Sequence, residues 1–557
     1  MLFTSSIYSA AQLVANLVFQ VPFGSRHSNI IDTGYARYLG NQTFPNAVAY
    51  LGIPYAEPPV GDRRFRAPAP LDTGRIAYTQ GLNGDVIDAR SYPDFCVQGP
   101  LGPTPGGAGS EDCLKVNIYA PVGAKQGSNL PVLVFIHGGG FTFGNPRSWP
   151  FDHWVEQSPN VVIVSVYYRL SSFGFMAVPD FRDPKFGDFN AGLQDQIEAL
   201  RWVKRYISKF GGNPNQVTIN GQSSGANSVQ FHLLFTGLRE KLFHAAIAQS
   251  TPRRPLPTPE QQAPLFDFYA QKAGCGLGSV AKRLACLRSV SVSTLARAQE
   301  AALAPTYTAT PYKAFQPIFD GKILTEYPTP AVQSGHFAKV PLIIGSTTNE
   351  TLTNGPDIPA AWKSFCPGIT GSDVDELLDV GLDSASPRIL YPSSSFASED
   401  LQKQTAMGDF SIRCTRTIMA SEYSKLVPTW TYRYNQRNPT ETSLGAEHSA
   451  ENWMMFQGSN IGPNGTVTFT PLKPVEKAFA SELIAYWLSF VRTGNPNTLR
   501  LRRSPFWGGY GKWQRLRNVL QQNQFGYTSR SGSYLEFDEN PETQRCKVTG
   551  SQTSQEN

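Results

Sequence analysis

Long apolar runs, internal repeats and metal-binding patterns are missing from this sequence of 557 residues. Beyond the amino terminus, no stretch is long and apolar enough to span a bilayer, so we expect no stable membrane anchor. No repeat, long low-complexity segment or charged linker divides the chain, which favours one large domain. No metal-ligand spacing links Cys366, Cys414 and Cys546, so no metal site is expected.

The charge balance gives no indication of a nucleic-acid partner. The chain carries a formal net charge of +6, and Arg500, Arg502 and Arg503 lie close together in the sequence. We interpret this cluster as a solvated basic loop, because a short charge run most often marks an exposed surface.

The amino terminus differs in composition from the rest of the chain. The first 25 residues carry no charge, and the stretch from Ala11 to Val21 is moderately apolar. This predicts a secretory signal or leader over residues 1–27, although a basic n-region is missing and no cleavage site can be placed. Residues 28–540 are interpreted as one folded domain, and residues 541–557 as a polar tail without a lipid-anchor signal.

A glycine-flanked serine is the most informative local pattern. Gly221-Gln222-Ser223-Ser224-Gly225 follows the apolar run Val217–Ile219 and precedes a helix-like stretch. This is the sequence pattern of a nucleophile elbow, in which glycines permit a tight strand-to-helix turn that leaves the serine hydroxyl exposed. The pattern predicts Ser223 as a catalytic nucleophile, although an ordinary glycine-rich turn would look the same.

A second glycine cluster predicts an oxyanion hole. The buried-strand pattern Pro131–Ile136 ends in His137-Gly138-Gly139-Gly140-Phe141, where glycines leave backbone N–H groups accessible. Such donors stabilise the negative charge that develops on a tetrahedral intermediate. We assign this role to the N–H groups of Gly139, Gly140 and Ser224.

The chain also offers an acid and a base in a workable order. In an α/β-hydrolase the order is serine, then Asp or Glu, then histidine, with each residue following a strand. Glu350 follows the predicted strand Val340–Ile344, and His448 lies beyond the predicted strand Pro428–Tyr434. Glu350 is therefore the candidate acid and His448 the candidate base.

Several further motifs occur in a fixed order along the chain: Leu51–Gly61, Ser110–Tyr119, Asn190–Gln196, Ala199–Val203 and Phe210–Pro214. With these motifs the sequence resembles the type-B carboxylesterase and lipase family, which includes cholinesterases, fungal lipases and the catalytically silent neuroligins. The resemblance covers nearly the whole chain and implies an α/β class with an α/β-hydrolase fold, whose large, mostly parallel central sheet has helices on both faces. The same choice of acid and base follows from it.

The resemblance implies structural ion pairs and disulfides as well. Arg64 should pair with Glu111, and Arg169 with Asp195. Disulfides are implied for Cys96–Cys113 and Cys275–Cys286, which would persist in an oxidising compartment. The three other cysteines leave at least one thiol unpaired. The glycosylation sequons at Asn41 and Asn464 agree with secretion.

Departures from the family pattern indicate the substrate class. The loop between Cys96 and Cys113 has no aromatic residue where cholinesterases carry a cation-binding tryptophan, and it is much shorter than the lid of the fungal lipases. Gln222 stands where cholinesterases have glutamate. We therefore expect a serine esterase that acts on neutral carboxylic esters through an acyl-enzyme, without a metal or organic cofactor. A lipase, an acyltransferase with the same triad and a neuroligin-like binding protein are the alternatives.

Overall fold

The structure, a computed structural model, describes residues 29–83, 85–99, 109–351, 355–380, 388–443, 445–461, 466–511, 514–538 and 540–551. The expected leader 1–27, the sequon at Asn464 and residues 100–108 of the loop between Cys96 and Cys113 lie outside the described residues. Asn41 lies in an exposed position on a strand.

The strands, numbered along the chain, are β1 Ile30–Asp32, β2 Arg37–Leu39, β3 Asn41–Phe44, β4 Ala47–Pro54, β5 Ile87–Asp88, β6 Lys115–Pro121, β7 Leu130–Ile136, β8 Val162–Val166, β9 Gly212–Gln222, β10 Ala245–Gln249, β11 Leu342–Thr347, β12 Asp379–Val380, β13 Arg388–Ile389, β14 Thr429–Tyr434, β15 Ser459–Ile461, β16 Val467–Phe469, β17 Leu516–Leu520 and β18 Tyr534–Phe537.

The helices are α1 Thr73–Asn83, α2 Asp152–Gln157, α3 Ser171–Phe175, α4 Ala191–Tyr206, α5 Ser224–Phe231, α6 Gly237–Arg239, α7 Pro259–Lys272, α8 Val280–Ser289, α9 Val292–Leu303, α10 Pro328–Gln333, α11 Ile358–Phe365, α12 Gly371–Leu378, α13 Glu399–Gly408, α14 Cys414–Tyr423, α15 Ala450–Met455, α16 Pro474–Thr493 and α17 Asn540–Ser551.

The main sheet has eleven strands in the order β18-β17-β14-β11-β10-β9-β7-β8-β6-β4-β3. The seven strands from β17 to β8 pair in parallel, and the pairs at both edges are antiparallel. Along β7, Val132, Val134 and Ile136 pack into one core and Leu133 and Phe135 into the other. A strand buried on both faces is continuously apolar, so the predicted strand pattern is confirmed. The large, mostly parallel sheet confirms the predicted α/β-hydrolase fold.

The sheet topology determines where the site lies. Strands β9, β10, β11 and β14 are parallel neighbours, so their carboxyl ends reach the same edge of the sheet. In open α/β sheets, ligands bind outside the carboxyl ends of the strands. The segments that follow β9, β11 and β14 contain Ser223, Glu350 and His448, respectively.

Two buried ion pairs hold segments that are distant in the sequence. Arg64 binds Glu111 through two hydrogen bonds of 2.6 Å and also donates to backbone oxygens. Arg169 Nη2 lies 2.6 Å from Asp195 Oδ1, and these side chains are 3% and 0% exposed. At such burial each charge depends on its partner, because an unpaired ion in the interior is costly.

Three disulfides are present among the described residues: Cys96–Cys113, Cys275–Cys286 and Cys414–Cys546. Cys366 is a buried thiol. The first two pairings are those that the family resemblance implied. The third has a sequence separation of 132 residues, and closing a loop of that length stabilises the fold by about 5 kcal/mol in the chain-entropy model.

The third disulfide joins α17 to α14, so the stretch expected to be a polar tail contains a packed helix up to Ser551. The physical reason is charge pairing in the interior. Glu542 of this helix accepts hydrogen bonds from Arg416 and Arg517, whose side chains are 1% and 2% exposed. The polar composition of this stretch therefore reflects buried ion pairs as well as exposed residues.

Candidate functional site

Ser223 occupies a sharp turn between β9 and α5. Its backbone has φ 57° and ψ −124°, a conformation that costs a non-glycine residue about 1–3 kcal/mol and is found mainly at functional sites. The flanking glycines are required sterically: a Cβ on Gly221 would lie 2.3 Å from Gly225 O, and one on Gly225 would lie 2.1 Å from Ile136 O. The close packing of the turn thus explains the glycine pattern seen in the sequence.

The glycine loop after β7 lies beside this turn. Gly139 and Gly140 have φ values of 108° and 66°, and a Cβ on Gly139 would lie 2.0 Å from Phe143 O. Across the described part of the chain, no backbone carbonyl accepts a hydrogen bond from the N–H of either glycine. Ser224 begins α5, and the first N–H groups of a helix lack intrahelical partners. These groups have the properties that an oxyanion hole requires.

Ser224 also links the glycine loop to the elbow through its side chain. Its hydroxyl accepts a hydrogen bond of 3.2 Å from Phe141 N. A Cβ on Gly138 would lie 3.1 Å from Ser223 Cβ, so the loop approaches the serine closely. The loop and the serine are therefore held in a fixed relative position.

The candidate acid, base and nucleophile form one continuous chain of contacts. His448 Nε2 lies 2.9 Å from Ser223 Oγ, and His448 Nδ1 lies 2.6 Å from Glu350 Oε2. The other oxygen of Glu350 accepts a hydrogen bond of 2.8 Å from Thr347 N. The Glu350 side chain is fully buried, whereas that of His448 is 15% exposed. The imidazole can therefore exchange a proton with Ser223 while the carboxylate orients it.

The electrostatics of this chain couple its members. Burial raises the pKa of Glu350, but the charge of His448 and the hydrogen bonds to the carboxylate outweigh it, so the net pKa is lowered. Burial lowers the pKa of His448, but the Glu350 carboxylate and the more distant charge of Glu451 outweigh this effect and raise it. A carboxylate beside the imidazole thus stabilises the imidazolium that forms when the base accepts a proton.

The loops that contain the acid and the base are joined to each other. Asn349 N donates to Ala446 O at 2.9 Å, and Ala446 N donates to Asn349 Oδ1 at 3.0 Å. Asn349 and Glu447 also form an isolated parallel bridge. This backbone pairing sets the distance between Glu350 and His448 independently of their side chains.

From the sequence, Gln222 is noted only as a neutral residue beside the nucleophile, and Ser449, Glu451 and Asn452 are not assigned to the site. Gln222 Nε2 donates to Ser449 Oγ at 2.8 Å, and Asn452 Nδ2 donates to Gln222 Oε1 at 3.2 Å. Both ends of the Gln222 amide therefore bind the segment that contains the base. Glu451, also buried, has its pKa raised to about 7 by burial and by the charge of Glu350. The sequence signal was the proximity of Ser449, Glu451 and Asn452 to the predicted base.

Among the residues that the structure describes, no group of three His, Cys, Asp or Glu side chains is arranged to hold a metal ion. The same described residues contain no helix of the length and apolarity that a bilayer crossing needs.

Comparisons with known proteins show what the chain is similar to. A family model described as "Carboxylesterase family" matches residues 27–552. The para-nitrobenzyl esterase of Bacillus subtilis (strain 168) is 32% identical over 485 residues, which cover 84% of this chain and 91% of that protein. Lipase 2 of Geotrichum candidum is 30% identical over 552 residues, which cover 88% and 91%. The crystal structure of Aspergillus niger EstA matches with a TM-score of 0.79 and 29% identity, covering 95% of this chain and 99% of EstA.

Proposed function

The chain belongs to the carboxylesterase family and hydrolyses carboxylic esters, and we propose that it does so through an acyl-enzyme on Ser223. His448 is the general base and acid, and Glu350 orients it. The observation that carries the proposal is the unbroken chain from Ser223 Oγ to His448 at 2.9 Å and from His448 to Glu350 at 2.6 Å.

In the first half of the reaction, Ser223 Oγ attacks the ester carbonyl while His448 Nε2 takes the hydroxyl proton. The N–H groups of Gly139, Gly140 and Ser224 stabilise the oxyanion, and one such donor contributes about 3–4 kcal/mol by deletion. The tetrahedral intermediate collapses when the imidazolium returns its proton to the alcohol oxygen. The alcohol leaves, and the acyl group remains on Ser223.

In the second half, His448 takes a proton from a water molecule, which attacks the acyl carbonyl. A second tetrahedral intermediate forms in the same oxyanion hole. Its bond to Ser223 Oγ breaks as the imidazolium returns its proton to that oxygen, which releases the acid and restores the serine hydroxyl. The fixed acid and base loops support this cycle, because the imidazole must act twice without changing its position.

We propose that the alcohol part of the substrate is uncharged. The residue beside the nucleophile, Gln222, is neutral, and both ends of its amide are engaged by Ser449 and Asn452. It therefore offers no negative charge to attract a cationic alcohol. We also propose that the protein is secreted, since three disulfides persist best in an oxidising compartment.

The test is hydrolysis of p-nitrophenyl esters from acetate to palmitate by wild type and by Ser223→Ala. We expect turnover by the wild type and its loss in the variant, with the thermal unfolding temperature nearly unchanged. A long-chain optimum would favour a lipase. Residual activity of the folded variant above a few per cent of wild type would place the nucleophile elsewhere.

Hydrolysis is separated from acyl transfer by a second measurement. Added alcohols should change the partition of products only slightly if water is the acceptor. Dominant formation of a new ester at low alcohol concentration would instead identify an acyltransferase that uses the same Ser223.

A further inference from the structure

An arginine borders the oxyanion loop. Arg254 follows β10, and its Nε donates to Asn227 Oδ1 at 3.1 Å, while Nη1 donates to Gln316 Oε1 at 2.9 Å. Gln316 Nε2 in turn donates to Gly140 O at 2.9 Å. A Cβ on Gly140 would lie 3.9 Å from Arg254 Nη2. The guanidinium is therefore positioned beside the loop where the ester carbonyl would bind.

This guanidinium has no counter-charge in the part of the chain that the structure describes. Its hydrogen-bond partners there are neutral amide oxygens, and its Cζ lies 5.7 Å from the centre of the Phe141 ring. Burial lowers the pKa of Arg254 to about 10, so it remains charged at neutral pH. The buried arginines Arg64 and Arg169 differ from it, because each binds a carboxylate. A charge kept in such surroundings without a partner suits the binding of an anion.

A second cation, Lys313, belongs to the segment that binds Arg254. Gln316, which accepts from Arg254, also donates to the backbone oxygen of Ala314, the residue after Lys313, at 3.3 Å. The Lys313 side chain reaches solvent, yet the protein atoms around it lower its pKa to about 8, burial being the larger cause and the charge of Arg254 the second. No carboxylate forms an ion pair with Lys313 among the described residues; its Nζ lies 5.6 Å from the centre of the Phe365 ring. Like charges in the same region repel each other, and a bound anion would reduce that repulsion.

The contacts of Arg254 indicate which part of an ester it would meet. The alcohol oxygen must take its proton from His448 Nε2, so the alcohol part lies on the side of the base. Arg254 instead binds Asn227 of α5 and, through Gln316, the oxyanion loop. Helix α5 begins beside the nucleophile, and the loop contains donors of the oxyanion hole. The acyl group is bonded to the nucleophile, and its carbonyl oxygen lies in that hole. The acyl part is therefore the part that approaches Arg254.

We propose that Arg254, assisted by Lys313, forms a carboxylate-binding subsite for the acyl part, so that the preferred substrates are monoesters of dicarboxylic acids. This inference rests on the proposed function, since it assumes acyl transfer to Ser223. It keeps an uncharged alcohol part but replaces the expectation of a wholly neutral ester with an anionic one. The planar guanidinium suits a carboxylate, which it can bind with two parallel hydrogen bonds.

The experiment compares kcat/KM for methyl esters that have the same chain length and different charge. The set is monomethyl adipate, methyl hexanoate and the methyl ester of ε-aminocaproic acid, with acid release followed by chromatography. We expect the order anionic, neutral, cationic, with the anionic ester ahead of the neutral one by about 10- to 100-fold, the effect of one hydrogen bond to a charged group. Equal or reversed rates for the anionic and neutral esters would overturn the proposal.

Variants assign the preference to the arginine. Arg254→Met should lower the ratio of anionic to neutral kcat/KM by about 10-fold or more, mainly through KM, and Arg254→Lys should retain part of it. Arg492→Met is the matched control, because this half-buried arginine has no ion pair among the described residues. Its backbone oxygen accepts from Gln216, in the amino-terminal half of β9, whereas Ser223 follows the carboxyl end of that strand. An unchanged ratio in folded Arg254→Met would refute the role of Arg254.

Two further outcomes are distinguishable. If the glycolic acid ester of hexanoic acid, which carries its carboxylate on the alcohol part, is preferred to monomethyl adipate, the assignment to the acyl part is wrong. If the wild type hydrolyses none of these esters and no p-nitrophenyl ester, the proposed function itself fails. Turnover of the p-nitrophenyl esters without a charge preference refutes the subsite alone.

Discussion

Replacing Glu350 by glutamine tests how the acid contributes to the reaction. Glu350→Gln keeps the shape of the side chain, and its carbonyl oxygen can still accept the hydrogen bond from Thr347 N. The substitution alters the 2.6 Å contact between Glu350 Oε2 and His448 Nδ1. An amide can donate to Nδ1 and so favour the tautomer with the proton on Nε2, which cannot accept the proton of Ser223.

The expected loss in kcat is about ten-thousand-fold, the size found when an orienting carboxylate of a serine triad becomes an amide, and equals about 5 kcal/mol in the activation barrier. The pKa of His448 should fall as well, because the Glu350 carboxylate is what outweighs burial and raises it. The assay combines ester turnover with an NMR titration of the histidine, and circular dichroism verifies the fold. A variant within tenfold of wild type, with an unchanged histidine pKa, would refute this reasoning.

The same substitution has a consequence for stability. The pKa of Glu350 is lowered in the folded protein, so its ionisation stabilises the fold above the unfolded-state pKa. That stabilisation is lost as pH falls through the folded-state value. Urea unfolding of Glu350→Gln should therefore lose less stability than wild type when the solution is acidified through this range. An equal loss of stability in both proteins would contradict a lowered pKa of Glu350 in the fold.

Two further variants examine the surroundings of the triad and the fold. Glu451→Gln removes a charge that raises the pKa of His448, so the acid limb of the kcat/KM profile should move to lower pH; a shift to higher pH would contradict this sign. Arg64→Ala leaves Glu111 buried without its partner and should lower the free energy of unfolding by about 3–5 kcal/mol in urea. Recovery of stability in the double variant Arg64→Met/Glu111→Leu would support this cause. An Arg64→Ala variant with wild-type stability and lost turnover would contradict it.

The elements that surround the nucleophile could be predicted because their causes are local. The pattern Gly221–Gly225 lies within one turn, where a Cβ on Gly221 would meet Gly225 O, so the strand-turn-helix order could be inferred from the sequence. The close approach of Gly225 to Ile136 O of β7 could not. Strand boundaries were less accurate. The strand predicted over Val340–Ile344 runs from Leu342 to Thr347, since Pro341 has no N–H to give to the ladder.

Other features depend on contacts between distant segments and could not be predicted. Nothing in the sequence around Arg254 indicates that it reaches the oxyanion loop, because the link runs through Gln316. The sequence predicts a polar tail where α17 packs, because the Glu542 carboxylate resembles a solvated charge until the fold brings Arg416 and Arg517 to it. Pairing between residues that are far apart in the chain leaves no pattern in the local sequence.

The central claim is that the acyl group is carried by Ser223. The direct measurement is rapid acid quenching of the enzyme during turnover of a p-nitrophenyl ester, followed by mass spectrometry of the peptide that contains residues 221–225. We expect a peptide that is heavier by the mass of the acyl group on Ser223 and that is absent from Ser223→Ala. An acyl adduct on another residue, or on the same peptide in the alanine variant, would contradict it.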